Sequence, residues 1–398
     1  MDRLSSIAGT NLEHARSHNR RVVLEAVRLH GPLSRAEIAR MTALTSQTVS
    51  NIVEELQEGR LLRAAAPRSG GRGQPATPLT IDPDGAYSVG LQFDHHGLTA
   101  VLVDLSGNVR HRIEASVPDP YPGIAVPQMA QTIRELRRRS RIDWSRVLGA
   151  GLAMPGPFNA AGRSLMGPTS LPGWAEPDVE TIAKKIGLPL LLENDAKAAA
   201  IGEHLHGRAK RITSFAYLFF GMGFGAGLFV DGHVYKGFGR NAGEIGHMIV
   251  ETDGRACHCG NRGCLEQYVS LRAAYQALDI KQYDRQTPDE LVRRLEAGDR
   301  RTLAWLRSTI APLRRAINVL ESMLDPETII LGGVMPQPLL QWIADALPPL
   351  AVSVADQRPT PRLVVGSAGP DTPALGAAAL PIFDELNPQL NLLLKKTG

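Results

Sequence analysis

The three cysteines of the chain, Cys257, Cys259 and Cys264, lie within eight residues, and His247 stands ten residues before the first of them. Cys-x-Cys and Cys-x4-Cys spacing with a nearby histidine is typical of a tetrahedral structural zinc site. Disulfide pairing would leave one cysteine over and would need an oxidising compartment. His258 stands between two of the cysteines, so spacing alone leaves two histidines as candidates for the fourth ligand.

Length and composition predict an ordinary globular protein. The 398 residues are 43% apolar and 21% charged, which is enough for two or three domains and is not a disordered composition. The first residues lack the apolar stretch of a secretion signal, and the apolar run at 215–230 is short and broken by glycines. We therefore expect a cytoplasmic protein without membrane insertion.

Positive charge is concentrated at the amino-terminal end. The formal net charge is +4, and residues 1–80 alone hold 11 arginines against 7 acidic residues. Four of these arginines fall within 60–72, and no acidic residue occurs between Glu58 and Asp82. An unopposed basic segment of this kind indicates a phosphate-binding surface.

Three helices are predicted before residue 60. The first ends at Gly31-Pro32, Ser34 and Glu37 form a capping box for a second that runs to about residue 41, and Thr45 caps a third. The apolar positions at helical spacing are Val22, Val23, Ala26, Val27 and Leu29 in the first helix and Val49, Ile52, Val53 and Leu56 in the third. Three helices with a tight turn before the last make a helix-turn-helix.

The third helix is predicted to read DNA. Short hydroxyl and amide side chains near a helix N-terminus can reach base edges in the major groove, while the helix amides face phosphate. The following segment, 66–78, predicts a wing in which Arg72 between two glycines suits a narrow, A/T-rich minor groove; the alternative is a flexible linker. The predicted DNA contacts are Arg35, Thr45, Ser46, Gln47, Thr48, Ser50, Asn51, Arg68 and Arg72.

From Tyr87 onward, strand-like and helix-like segments alternate, which predicts an α/β architecture. Strands are expected at 98–104, 148–154, 190–193, 215–220 and 328–331, and helices at 196–205, 271–277 and 302–323. Glycine-rich turns follow two of the strands and would let a backbone approach phosphate or sugar, although such turns alone are weak evidence.

Four segments in order carry a family resemblance: ENDAKAAAIGE at 193–203, GMGFGAGLFVDG at 221–232, AGEIGH at 242–247 and CHCGNRGCLE at 257–266. Behind a winged helix-turn-helix, this pattern resembles the ROK family of repressors and sugar kinases over nearly the whole chain, and within it the sugar-responsive repressors. The resemblance implies a two-lobed, actin-like and ribonuclease-H-like sugar-kinase body. The implied domains are 1–82 for the DNA-binding head with its wing, 83–194 plus about 378–398 for the first lobe, and 195–377 for the second lobe with the zinc site and the oligomerisation surface.

The resemblance also implies a set of site residues. One structural zinc per chain would be bound by His247, Cys257, Cys259 and Cys264, which favours His247 over His258 as the fourth ligand. Sugar contacts would be made by Asn194, Asp195, Glu244, His247 and Glu266, whose carboxylates and amide suit vicinal hydroxyls. The zinc would then tie the loop of His247 to the loop of Glu266.

A kinase of this family would use Asp195 as general base and two loops that hold ATP. Asp195 is present, but the first loop, expected at Gln92 to His96, lacks the acid, both glycines and the threonine of the kinase pattern Asp-x-Gly-Gly-Thr. Asp94 there would repel a triphosphate, and Met222 replaces a threonine in the second loop. Lys197 stands where the family usually has asparagine. We therefore expect neither ATP binding nor enzymatic activity.

The expected function is a bacterial repressor of carbohydrate uptake and catabolism genes, associated with the nucleoid when bound to DNA. A monosaccharide or sugar derivative between the lobes would control a homodimer or homotetramer on paired operator half-sites with A/T-rich flanks. Two alternatives remain open: an ATP-dependent hexose kinase, and a repressor controlled by a sugar-transport protein rather than by a free sugar.

Overall fold

The computed structural model of the protein describes residues 12–66, 77–158, 171–174, 178–352, 358 and 360–386. The predicted DNA contacts Arg68 and Arg72 lie outside these ranges, as does the stretch 387–398 of the predicted first lobe. Among the described helices, none has the length and apolar character needed to span a membrane.

The amino-terminal head contains the predicted helix-turn-helix. Its elements are α1 (Leu12–His30), α2 (Arg35–Thr42), α3 (Ser46–Glu58), β1 (Leu62–Ala64) and β2 (Leu79–Ile81). Both predicted caps are confirmed, because the Ser34 side chain accepts from the amide of Glu37 and the Thr45 side chain accepts from the amide of Thr48. β1 and β2 pair in antiparallel fashion and form the base of a wing.

The head has its own apolar core, and one residue of the predicted core is exposed. The predicted stripe of α3 is buried, as are Val23 and Val27 of α1. Leu29 was expected on the same face but is 57% exposed. The reason is geometric: a residue two positions after Val27 is rotated by about 200° around the helix axis, away from the core.

The first lobe is built on a five-stranded sheet with the order β5-β4-β3-β6-β7. Its strands are β3 (Tyr87–Asp94), β4 (Gly97–Asp104), β5 (Val109–Ala115), β6 (Val147–Met154) and β7 (Leu190–Asn194), and its helices are α4 (Pro122–Ser140) and α5 (Val179–Ile186). β3, β4 and β5 form an antiparallel meander, whereas β6 and β7 run parallel to β3. Every residue of β3 and β4 is buried, as expected for central strands covered on both faces.

The second lobe repeats this design with the sheet order β10-β9-β8-β11-β12. Its strands are β8 (Phe215–Phe220), β9 (Phe224–Val230), β10 (His233–Val234), β11 (Thr328–Gly333) and β12 (Leu363–Val365). Its helices are α6 (Asp195–His206), α7 (Glu266–Val269), α8 (Leu271–Ala277), α9 (Thr287–Glu296), α10 (Arg300–Leu324) and α11 (Gln337–Ala346). The predicted two-lobed α/β body is therefore present.

The last described helix, α12 (Thr372–Leu386), returns to the first lobe. It packs against β3 and β6 of the first lobe and against α6. The predicted boundary near residue 378 falls inside this helix, and the division into lobes stays a prediction.

Helices α6 and α12 cross at very short range at the junction of the lobes. A Cβ atom added to Gly376 of α12 would lie 1.7 Å from the carbonyl oxygen of Ala198 in α6, and one added to Gly202 of α6 would lie 2.1 Å from the carbonyl oxygen of Thr372. Glycine at both positions is what allows the two backbones to approach each other.

Replacing Gly376 by alanine is expected to destabilise the protein by roughly 1–3 kcal/mol, because the added methyl group overpacks the crossing by more than alanine gains in helix propensity. Urea unfolding measures the change. Gly123→Ala is the matched control, since a Cβ atom there meets nothing closer than 3.5 Å. Equal unfolding midpoints for Gly376→Ala and Gly123→Ala would contradict the close crossing.

Candidate functional site

The five predicted sugar contacts line one small cavity where the two lobes meet. Its volume is about 60 Å³. Lining it are Asn194, Asp195, Glu244, His247 and Glu266, together with Met222, His258, Gln267 and Arg272 and the turn of Pro155, Gly156 and Pro157. The five predicted sugar contacts alone are up to 72 positions apart in the sequence, counted from Asn194 to Glu266.

Asn194 and Asp195 are placed by the passage from β7 directly into α6. Asn194 caps the helix, and its Oδ1 accepts from the amides of Ala196 and Lys197 at 3.0 and 3.2 Å. Burial raises the pKa of Asp195 to about 7, and the nearby carboxylates of Asp94 and Glu244 add to the increase. Near neutral pH this carboxyl group can therefore accept or donate a hydrogen bond to a sugar hydroxyl.

Glu244 faces Asn194 across the turn that closes the cavity from the first lobe. A Cβ atom added to Gly156 in that turn would lie 3.3 Å from Asn194 Nδ2 and 3.5 Å from Glu244 Oε1. Burial raises the pKa of Glu244, against the opposing effects of His247 and Lys197. Two carboxyl groups with raised pKa values and an amide therefore converge on the cavity.

The predicted metal ligands also converge. One ligand atom from each of His247, Cys257, Cys259 and Cys264 lies within 4.8 Å of all the others. Cys257 Sγ lies 3.7 Å from His247 Nδ1, and Cys259 Sγ lies 3.7 Å from Cys264 Sγ. Sulfur ligands on Zn–S bonds of about 2.3 Å at tetrahedral angles stand about 3.8 Å apart. The spacing of the four donors therefore suits a tetrahedral zinc ion.

The chemistry of the donors points the same way. Burial raises the pKa of both Cys257 and Cys264, which disfavours their thiolates unless a cation lies close by. A bound divalent ion would supply that positive charge.

His258 belongs to a different group. Its Nδ1 lies 3.2 Å from Glu266 Oε1, and with His247 and Glu266 it forms a second set of possible ligand atoms within 4.8 Å. The group that contains the three cysteines includes His247 and not His258.

The loop between His247 and Glu266 is folded back on itself. Short antiparallel bridges join Ile249 to Cys264 and Ala256 to Arg262. The sulfur of Cys257 donates to Glu266 Oε1 at 3.0 Å. A metal ion bound here would hold one end of the candidate sugar site in place.

The segment predicted as a degenerate phosphate loop is shorter than expected. β3 continues through Asp94, which pairs with Gly97, so that only His95 and His96 form the turn. The prediction of a loop that starts at Gln92 was wrong, because the pairing of β3 with β4 continues to Asp94 and Gly97. Burial alone would raise the pKa of Asp94, but hydrogen bonds from His96 lower it overall. Asp94 is therefore a carboxylate.

The turn is attached to the second lobe and borders a larger cleft. His96 Nε2 lies 3.1 Å from the hydroxyl of Tyr275 in α8. The adjacent cleft has a volume of about 730 Å³ and is lined by residues of both lobes, among them Asp94, Arg285 and Gly333. Asp94, His95 and His96, which differ from the kinase pattern, thus leave the cleft open. Met222, which also differs from that pattern, is buried and lines the small cavity.

The candidate DNA contacts on α3 fall into two groups. Ser46, Gln47 and Asn51 are exposed, and Gln47 Nε2 donates to Asn51 Oδ1 at 2.9 Å. Thr48 and Ser50 are half-buried, and the hydroxyl groups of Thr45 and Thr48 lie 2.8 Å apart in the helix cap. Arg35 is also half-buried, and it donates to Gln57 Oε1 at 3.3 Å. All of these residues keep exposed or half-exposed side chains, and their contacts with DNA stay a prediction.

Sequence analysis missed a polar cluster beside the cavity. Lys197 and Glu193 are buried behind Asn194, and Asn241 bonds to the backbone of Phe158 in the first lobe. The unusual lysine at 197 was a visible signal, whereas no local pattern indicates a contact between residues 158 and 241.

Comparisons with known proteins agree with this architecture. Residues 88–382 match the ROK family, and residues 20–73 match the MarR family. The xylose repressor of Bacillus spizizenii is 26% identical over 378 residues, covering 92% of this chain and 94% of that protein. The DNA-binding transcriptional dual regulator NagC of Escherichia coli K12 is 23% identical over 338 residues, covering 81% of this chain and 82% of that protein.

Two solved structures share the fold. A ROK family transcriptional regulator described as a homolog of the Escherichia coli MLC protein superposes with a TM-score of 0.74 at 23% identity, covering 96% of this chain and 99% of that one. A ROK family glucokinase from Streptomyces griseus, solved with glucose and AMPPNP, gives 0.61 at 22% identity, covering 74% of this chain and 99% of that one.

Proposed function

The chain belongs to the ROK family, and from that membership we propose that it is a transcriptional repressor of carbohydrate uptake and catabolism genes. Its DNA binding is controlled by a monosaccharide or sugar derivative held between the two lobes. Of the two named relatives, one is a repressor and the other is a DNA-binding transcriptional dual regulator, and the chain carries a helix-turn-helix head of the kind that binds operator DNA. Zn²⁺ at the His247 and cysteine group serves as a structural ion.

The observation that carries this proposal is the position of α12 between the head and the sugar cavity. Leu375 and Ile382 of α12 belong to the same apolar core as the head. Arg21 of α1 donates to the carbonyl oxygen of Asp384 at 2.7 Å, and Arg28 lies over the ring of Phe383. The opposite contact of α12 is with α6, whose first residue lines the cavity.

This arrangement provides a route for control. α6 packs against β8 and β9 of the second lobe, whereas the head packs on α12 and on β4 of the first lobe. A change in the angle at which α6 and α12 cross would therefore move the head relative to the second lobe. In this proposal the lobes move as a sugar enters the cavity between them, whose volume is about 60 Å³. In a homodimer or homotetramer joined through the second lobes, the spacing of the heads on paired half-sites changes accordingly.

Phosphoryl transfer is absent in this proposal. The turn at His95 and His96 has neither of the glycines that let a backbone wrap phosphate, and ionised Asp94 repels the anionic phosphates of ATP. Asp195 then recognises a sugar hydroxyl without removing its proton.

A sugar screen followed by a DNA-binding measurement tests the proposal. Thermal shift is measured with xylose, glucose, N-acetylglucosamine and N-acetylglucosamine 6-phosphate, each with and without ATP and magnesium. A sugar that raises the melting temperature is then expected to change the affinity for DNA that the protein has selected from a random pool. A bound sugar that leaves DNA affinity unchanged would refute the control mechanism.

Asp195→Asn is expected to weaken the affinity for such a sugar by roughly 10- to 100-fold, because a hydrogen bond to a charged group is lost. Since the pKa of Asp195 is about 7, its carboxylate form gains population between pH 6 and pH 8. Calorimetry should therefore show tighter binding with rising pH in the wild-type protein and a flatter profile in Asp195→Asn. Asp231→Asn on the exposed β9–β10 turn is the control.

The open cleft of about 730 Å³ keeps the hexose kinase as the second candidate function. ATP turnover with a hexose, abolished in Asp195→Asn, would establish it in place of the sensor. Absence of binding to every sugar, together with binding to a sugar-transport protein, would instead place control with a protein effector.

A further inference from the structure

Lys197 lies inside the second lobe, directly behind the candidate sugar cavity, and only 1% of it is exposed. The position is unfavourable for an ammonium group in two respects. Burial removes its water, and the first turn of α6 places it at the positive end of the helix dipole. Burial accordingly lowers the pKa of Lys197, although Glu193 and Glu244 counteract this. A residue that works against stability at a candidate site points to a role in that site.

The ammonium group holds a particular backbone atom. Lys197 Nζ donates to the carbonyl oxygen of Arg240 at 2.5 Å. Arg240 has a φ of +63°, in the left-handed region that is strained for a non-glycine residue. Its guanidinium lies 3.7 Å from the carboxylate of Glu193, which also pairs with Lys236 at 3.0 Å. Buried charges therefore fix both the backbone and the side chains of the segment 236–240.

That segment leads into two residues of the site. Asn241 accepts from the amide of Phe158 at 3.0 Å and donates to its carbonyl oxygen at 2.9 Å, which joins the second lobe to the first. Glu244 follows three positions later and lines the cavity. Between them, the carbonyl oxygen of Gly243 accepts from the amide of Ala226 in β9. The hydrogen bond from Lys197 to Arg240 thus fixes the first residue of the short segment that leads to Glu244.

We propose that Lys197 is a positioning residue of the sugar site, whose bond to the carbonyl of Arg240 holds Asn241 against Phe158 and directs Glu244 into the cavity. Lys197 acts through this segment and does not itself line the cavity. The inference rests on the proposed function and deepens it, because it names Lys197 as the residue that links the contact between Asn241 and Phe158 to sugar recognition.

Lys197→Met removes the ammonium group and keeps the length of the side chain. The affinity for the sugar identified among xylose, glucose, N-acetylglucosamine and N-acetylglucosamine 6-phosphate is expected to fall about 10-fold by calorimetry. The melting temperature without sugar should change little, because the buried ammonium group is itself unfavourable and Glu193 keeps its pair with Lys236 at 3.0 Å. Lys197→Gln keeps an N–H donor on a side chain that is one bond shorter and should restore part of the affinity. If Lys197→Met does not fold, Lys197→Gln is compared with the wild-type protein instead.

Asn241→Ala supplies the second arm of the test. If both residues act through one segment, Asn241→Ala lowers the sugar affinity by a similar factor. The double variant with Lys197→Met then binds sugar about as tightly as the weaker-binding of the two single variants. Multiplied effects in the double variant would overturn the proposed path. Lys210→Met, the same change at an exposed position after α6, is the control and should bind sugar normally.

Three outcomes separate this inference from the proposed function. If the wild-type protein binds a sugar and Lys197→Met binds it with the same affinity, the inference is wrong but the proposed function stands. A lower melting temperature with unchanged sugar affinity does the same and assigns Lys197 to packing. A wild-type protein that binds none of the four sugars overturns the sugar-controlled function, and the inference falls with it.

Discussion

Replacing Cys259 with serine is expected to abolish stoichiometric zinc in the purified protein and with it the response to sugar. Cys259 contributes one of four donors, and even changes to groups around a metal site lower metal affinity about 10- to 100-fold, so the loss of a ligand should exceed 100-fold. Without the ion, the loop between His247 and Glu266 loses its main tether. Elemental analysis and sugar titration by calorimetry measure the two effects.

The two histidines of the site provide the matched comparison. His247→Ala should lose zinc as Cys259→Ser does, whereas His258→Ala should retain about one zinc per chain, because His258 lies beside Glu266 and outside the group with three cysteines. Zinc retained in His247→Ala and lost in His258→Ala would reverse the assignment. Full zinc content in Cys259→Ser would show that the site does not use this ligand.

Replacing Gln47 with alanine is expected to weaken binding to selected DNA by on the order of 1–3 kcal/mol while leaving binding to random DNA nearly unchanged. Gln47 is exposed on the first turn of α3, and its bond to Asn51 orients both amides before DNA is met. Such preorganisation lowers the entropy lost on binding. Fluorescence anisotropy with both kinds of DNA at one fixed salt concentration checks the result.

Asn51→Ala and the double variant complete this test. Because the two amides bond to each other, their effects should not add, and the double variant should be less impaired than the product of the single losses. Glu58→Gln, at the opposite end of α3, is the control. An equal loss on selected and random DNA for Gln47→Ala would show that the residue contacts the backbone rather than a base.

Local patterns in the sequence were sufficient for most of the elements. The capping box at Ser34 and the cap at Thr45 are confirmed, since a cap depends only on residues three positions apart. The strand at 215–220 and the helix at 271–277 have the predicted ends. The start of α12 at Thr372 was not predicted, because nothing in the local pattern marks it.

The residues predicted for the sugar and zinc sites lie together, and their roles stay predictions; the shape of the neighbouring segments was predicted less well. The motifs identified which carboxylates, histidine and cysteines come together, and these do line one cavity or form one donor group. The loop expected at 92–96 instead continues as strand to Asp94, because pairing with β4 rather than residue type decides where a strand ends. A cleft of about 730 Å³ lies beside this turn.

The sequence by itself determined the chemical inventory of this protein: a basic head with capped helices, a cysteine cluster with a partner histidine, and acidic and amide groups in family motifs. Those features depend on residue identity and short spacing. The tertiary structure decided which distant groups meet, namely Lys197 with Arg240, Asn241 with Phe158, and α12 with both the head and α6. Such contacts join segments through long closed loops, and only the packing of whole helices and sheets fixes which of them form.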